Sequence, residues 1–192
     1  MKNPEDKRVV KTKKNLKLTL KKLMNEEPFE KITVKEICER AITSRITFYN
    51  YYSDKYSLLE DIFRDIDNDL EQRFTDKQKS NEADDPVTSY QNLLDCFIDV
   101  YFEDISPISI EKNAVLLMPY YRFMVDNTTF IVKKYMNQLK PNYPPDKISV
   151  FLVMGMYGYI HLADWDRNDD SLYESAHRLL GDLLESGIFT SV

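Results

Sequence analysis

The chain has 192 residues, 43% hydrophobic and 30% charged, a balance that excludes a disordered polymer. Four glycines argue against a turn-dense β architecture or a Gly-rich phosphate loop. Two cysteines, Cys38 and Cys96, exclude a disulfide framework or a cysteine-built zinc cluster, and no apolar run approaches the ~20 residues that span a bilayer.

Charge is unevenly spread. Residues 1–60 carry 14 Lys and Arg against 9 Asp and Glu, whereas the other 132 carry 12 against 23. A basic N-terminal third on an acidic body suits a protein that approaches phosphates at one end and repels nonspecific contact elsewhere. The plainer alternative is that Lys11, Lys13, Lys14, Lys17, Lys21 and Lys22 form the solvated face of one helix. The opening MKNPEDKRVVKTKK has no apolar core of a secretory signal, so a cytoplasmic location is expected.

In chain order, Val9, Leu16, Leu20, Leu23 and Met24 recur at helical spacing over residues 8–25, and Pro28 ends that helix. Thr33 and Glu36 read as a capping box, with Ile32 and Ile37 as its hydrophobic staple. Ser44 is a good N-cap for a helix reaching about Tyr51, and Asp54 caps a long amphipathic segment carrying Leu58, Leu59, Ile62, Phe63, Ile66 and Leu70. The polar stretch 75–85 is expected to be a loop. Asp85-Pro86 restarts a helix with Leu93, Leu94, Phe97, Ile98 and Tyr101, which Ser106-Pro107 stops. Residues 109–139 read as one helix bent at Pro119 or two meeting there, 140–145 as a break, and 146–164 and 171–185 as the last helices, the final one ended by Gly187. No strand alternation persists, so the fold class is all-α.

Two short helices joined by a tight turn are how a protein holds one helix rigidly enough to lie in a DNA groove. Thr33 at a helix start can offer its hydroxyl and backbone N–H groups to a phosphate. Residues 44–51 form the expected recognition helix: Arg45 suits a bidentate guanine contact, Thr43 and Thr47 suit bases or backbone, and Asn50 or Tyr51 could reach either. Phe29, Ile32-Thr33-Val34, Ile37, Ala41, Ser44, Thr47-Phe48-Tyr49, Tyr52, Lys55 and Leu58-Leu59 together resemble the N-terminal domain of TetR-family transcriptional regulators, over roughly residues 10–63. The resemblance implies a DNA-binding domain at 1–54, with its helix-turn-helix at about 33–52, and a divergent helical regulatory and dimerisation domain at 55–192. It also places the Tyr49 hydroxyl and the Lys55 ammonium on backbone phosphates. Where the family has a turn glycine this chain has Ile42, so the turn is either built differently or strained. Ile46, at a position usually small in the family, could touch a thymine methyl.

The resemblance further implies a homodimer that reads a pseudo-palindromic operator and responds to a small molecule of unknown class. Phe97, Tyr101, Met118, Tyr121, Met124, Met154 and Tyr157 are the pocket candidates, with ordinary core packing as the alternative. Leu172, Ala176, Leu179, Leu180, Leu183 and Leu184, with Gly155 and Gly158 on the preceding helix, are the dimer candidates, against completion of the monomer core.

No metal is expected. Asp164, Asp166 and Asn168 open like a calcium loop, but Asp169 and Ser175 stand where Gly and Glu are needed, and His161 and His177 have no paired ligand motif. No cofactor loop or catalytic constellation is present in the sequence, so an enzyme is the weakest reading. The expected function is a ligand-responsive homodimeric repressor. The alternative is a DNA-bound co-regulator or nucleoid-associated protein whose C-terminal domain binds another protein.

Overall fold

The computed structural model describes residues 4–82, 85–105, 113, 121–122, 124–126, 128–130, 133, 143–162 and 170–183. All regular structure among them is helical: α1 (Pro4–Glu26), α2 (Val34–Arg40), α3 (Arg45–Tyr49), α4 (Lys55–Gln78), α5 (Pro86–Val100) continuing into a π-helical turn (Tyr101–Ile105), α6 (Pro145–Leu162) and α7 (Asp170–Leu183). No helix among these residues is long and apolar enough to cross a membrane. The chain forms two compact units, Met1–Ile66 with Glu103–Leu117, and Asp67–Phe102 with Met118–Val192. The division falls inside α4.

In the first unit, α1 places Leu16, Leu20, Leu23 and Met24 on one face, all fully buried, with Lys7, Lys11, Lys14 and Lys22 exposed and Lys13, Lys17 and Lys21 half-buried. Phe29, Ile32, Ile37, Phe48, Leu58 and Ile62 complete this core. Each such side chain contributes roughly 1.5–3 kcal/mol on burial. The first half of α4 belongs here because Leu58, Leu59, Ile62, Phe63 and Ile66 are all buried.

Caps fix the helix starts. The Thr33 hydroxyl oxygen accepts from the Glu36 N–H at 3.2 Å. The Ser44 hydroxyl oxygen accepts from the Thr47 N–H at 3.0 Å. Asp54 accepts from the Ser57 N–H at 2.8 Å, while the Asp54 N–H donates back to the Ser57 hydroxyl at 3.2 Å, a reciprocal cap on α4. Residues 145–150 and 170–171 begin the last two helices close to where the sequence reading put them.

α2 ends in a Schellman motif. The Thr43 N–H donates to the Cys38 carbonyl at 2.9 Å and the Ile42 N–H to the Glu39 carbonyl at 3.2 Å. That motif needs a left-handed residue at its corner, and Ile42 supplies it with φ of +50°. The turn thus has the geometry that glycine usually serves, built with a β-branched residue that disfavours it.

In the second unit α5 packs on α7, and Tyr90, Leu94, Ile98, Ile148, Leu152, Ile160, Leu172, Ala176 and Leu180 form one buried cluster. α5 starts as expected, with Asp85 accepting from the Thr88 N–H at 2.7 Å and Pro86 in the first turn. The expected loop over 75–85 is shorter than the sequence suggested, because α4 runs on to Gln78. Its last residues are polar but have partners: Lys77 pairs with Asp95 at 3.1 Å, and Gln78 bonds Ser89 and Asn92 at 2.8 Å each. The short link that remains is organised by buried Asn81, which bonds Asp85 and Ser89.

A left-handed β-branched residue costs about 1–2 kcal/mol, against about 0.5–1 kcal/mol for the entropy of a glycine. Ile42→Gly is therefore expected to stabilise the first unit by up to about 1 kcal/mol. Chemical denaturation checks this, and destabilisation would show that Ile42 is not strained.

Candidate nucleic-acid interface

Aromatic packing and a buried polar group build the platform beneath α3. Phe48 is fully buried and lies edge-on to Tyr49 (ring centroids 5.5 Å apart) and beside Tyr52 (5.7 Å). The buried Tyr52 donates its hydroxyl to Asp61 at 2.7 Å, and Lys17 reaches the same carboxylate at 2.9 Å. Burial disfavours the charged Asp61, but the hydrogen bonds from Lys17 and Tyr52 and the charges of Lys17 and Lys13 outweigh it, holding this carboxyl below the usual range. Lys13 sits 5.4 Å from the Tyr52 ring centre and 5.9 Å from that of Tyr51. α1 also reaches the turn, where Asn15 donates to the Ala41 carbonyl at 2.7 Å.

On this platform the expected DNA-contacting residues separate into two groups. Ser44, Arg45, Ile46, Tyr49 and Asn50 are exposed, and Thr33 is exposed at its cap. The others are half-buried and engaged within the chain. Thr43 donates its hydroxyl to the Ala41 carbonyl at 3.1 Å, the Thr47 hydroxyl lies 2.8 Å from that of Ser44, and Tyr51 lies beneath Lys13.

Lys55 departs most from expectation. Its ammonium donates to the carbonyls of Phe29 (2.7 Å), Glu30 (2.9 Å) and Ile32 (2.8 Å), and stands 4.6 Å from the Phe29 ring centre. An ammonium has three protons, so these bonds use all of them. Burial in this nest lowers its pKa, with Glu30 acting in the opposite sense. The side chain closes the loop between α1 and α2.

Asn113 was missed by the sequence reading. Buried, it accepts from the Phe29 N–H at 2.5 Å and donates to the Met24 carbonyl at 3.1 Å, pairing two backbone groups where α1 gives way to the loop. An Asn in the middle of an otherwise unremarked stretch was its only signal. Asn15 and Asp61 were likewise missed, because nothing local distinguishes them from surface polar residues.

In the second unit, Phe97, Tyr101, Tyr121, Met124 and Tyr157 do come together, joined by Val153, Met156 and Ile160, around a void of only about 20 Å³. That is room for about one water. Tyr157 is edge-on to Tyr121 (5.0 Å) and to Tyr101 (6.1 Å). Burial, with the Tyr157 and Tyr101 hydroxyls nearby, pushes the Tyr121 phenol up. Met154 does not join them: it is exposed on another face of α6. Met118 lies outside the described residues.

The dimer candidates also divide. Leu172, Ala176 and Leu180 are buried in the unit's own core. Leu179 is exposed, with Val150, Phe151 and Met154 of α6. A groove of about 220 Å³ runs along this face, lined by Leu94, Phe151, Leu152, Gly155, Met156, Tyr159, Ala176, Leu179, Leu180 and Leu183. Among the described residues, a Cβ added at Gly155 or Gly158 would meet nothing within 4 Å. Leu184 lies outside the described residues. The calcium-like run 164–169 does too; His177 pairs with Asp95 at 2.6 Å, and no cluster of three metal-binding side chains occurs among the described residues.

Residues 19–62, from α1 through the helix-turn-helix into α4, match the family model described as bacterial regulatory proteins, tetR family. Over these residues the chain is similar to that family. An uncharacterized HTH-type transcriptional regulator of Bacillus subtilis strain 168, YxbF, is 41% identical over 51 residues, which is 27% of this chain and 13% of that protein. The chain thus spans a small part of the relative it matches in sequence. Two solved structures share the TetR-like fold along nearly the whole chain. One, of a TetR-family transcriptional regulator from Syntrophomonas wolfei, has a TM-score of 0.72 at 12% identity, covering 92% of this chain and 96% of its own. The other, from Pectobacterium atrosepticum, has a TM-score of 0.62 at 14% identity, covering 97% of each.

Lys55→Met is expected to cost about 2 kcal/mol of stability, since it strands carbonyls that the ammonium now pairs. A phosphate-contacting Lys55 would instead leave stability unchanged and lower the salt dependence of DNA binding by about one phosphate. Denaturation and salt titration of the same variant separate the two outcomes.

Proposed function

We propose that this protein is a DNA-binding transcription regulator that inserts α3 into the major groove and acts as a homodimeric, ligand-responsive repressor. The observation that carries the reading is the outward set Ser44, Arg45, Ile46, Tyr49 and Asn50, left exposed on a helix whose other side chains are committed to the scaffold. Such an arrangement presents a fixed edge to a ligand while the platform behind it stays rigid. Arg45, in the first turn of α3, is the residue suited to a guanine. Thr33 and Tyr49 suit flanking phosphates.

A repressor of this design reads two half-sites related by its own two-fold axis. The exposed apolar face of α6 and α7 is our choice for the contact between copies, because Phe151, Met154 and Leu179 stand exposed beside a groove that another helix pair would fill. The aromatic cluster around Tyr157 is our choice for the effector site. At about 20 Å³ it is too small for an effector, which would bind only by parting the tyrosines, and that movement is what would couple it to the rest of the domain. The same exposed face favours one other reading, a DNA-bound co-regulator that docks a different protein there.

Arg45→Ala is expected to reduce discrimination at one base pair per half-site by about 1–3 kcal/mol while leaving nonspecific binding largely intact. Competition between selected and scrambled duplexes measures this, and unchanged selectivity would remove Arg45 from the reading edge. Leu179→Glu changes an exposed residue and is expected to leave a folded monomer in sedimentation. An unchanged dimer would move the contact elsewhere, and a wild-type monomer would favour the co-regulator reading.

A further inference from the structure

Ile42 and Ile46 stand on either side of the cap residue Ser44, and they are the two most exposed large apolar side chains among the described residues, at 95% and 78%. A single exposed isoleucine is ordinary. Two of them flanking the start of the reading helix, followed by a half-exposed Tyr49 (56%), make an apolar edge where a phosphate-binding surface would be polar.

Ile42 adds a second observation. It holds the left-handed corner of the α2–α3 turn at φ of +50°, a conformation that β-branched residues disfavour. With 95% of its surface in solvent it receives almost no packing within the chain to offset the strain. Strain with so little internal contact in return directs attention to what lies outside the chain.

The chemistry of the groove selects the partner. Every base edge in the major groove is polar except the C5-methyl of thymine. An isoleucine set against any other edge would strip water from donors and acceptors without replacing their hydrogen bonds. Resting on the reading of α3 as the groove-entering helix, we infer that Ile42 and Ile46 read thymine methyl groups, so that the half-site carries A·T pairs beside the pair contacted by Arg45.

The test uses the full-length protein and the tightest duplex it recovers from a random pool, with each dT replaced in turn by deoxyuridine. That replacement removes the methyl and keeps the base pair and its hydrogen-bonding edge. One or more positions per half-site are expected to weaken wild-type binding about four-fold, the worth of one buried methyl. At those positions Ile46→Ala or Ile42→Gly should bind the two duplexes equally. Both side chains are exposed, so the variants should fold, and circular dichroism melting verifies this. Wild-type indifference to every replacement, or full sensitivity surviving in both variants, overturns the inference while leaving DNA binding intact. Recovery of no duplex at all overturns the DNA-reading proposal, and this inference with it.

Discussion

The first unit depends on one half-buried cation. The Lys55 ammonium, at the first residue of α4, gathers the carbonyls of Phe29, Glu30 and Ile32 into a single nest. Those carbonyls belong to the loop that delivers the chain from α1 to the Thr33 cap, and α2 begins one residue later. A loop with three outward-tilting carbonyls would have many ways to lie; a central ammonium leaves it few. The position of α2 follows from the loop, the Schellman turn follows from α2, and α3 follows from the turn. The Phe29 and Tyr56 rings beside the ammonium help exclude water from these bonds.

What was legible in the sequence was local. Thr33, Ser44, Asp54 and Asp85-Pro86 announce helix starts because a cap and its target lie within three residues of one another. Ile42 was legible as an anomaly for the same reason, since the turn around it spans only the six residues 38–43. The end of α4 was not legible, because Lys77 and Gln78 continue the helix through partners on α5 that no local rule reveals. The Lys55 nest and the Tyr52–Asp61–Lys17 group were hidden similarly: a lysine and an aspartate on an amphipathic helix read as solvated until their distant partners are known.

The second unit shows a different limit. The stripe Leu172, Ala176, Leu179, Leu180 and Leu183 has the right spacing for a helix contact, but spacing does not say whether the partner helix belongs to the same chain. The structure divides the stripe, giving Leu172, Ala176 and Leu180 to the internal core and leaving Leu179 outside. Of the residues chosen as pocket lining, Met154 faces away on α6, Met118 is outside the described residues, and Phe97, Tyr101, Tyr121, Met124 and Tyr157 lie together. Their rings fill the space they enclose, which composition could not anticipate.

Asn113 has a consequence for how such a chain is made. The backbone groups it pairs lie 84 and 89 residues earlier, at Phe29 and Met24. During synthesis α1, α2, α3 and α4 therefore emerge well before the side chain that completes the corner between the first two, and α5 intervenes. Until then the Phe29 N–H and Met24 carbonyl must turn to water, holding that corner partly open. The first unit is therefore completed only after residues 67–102 of the second have been translated.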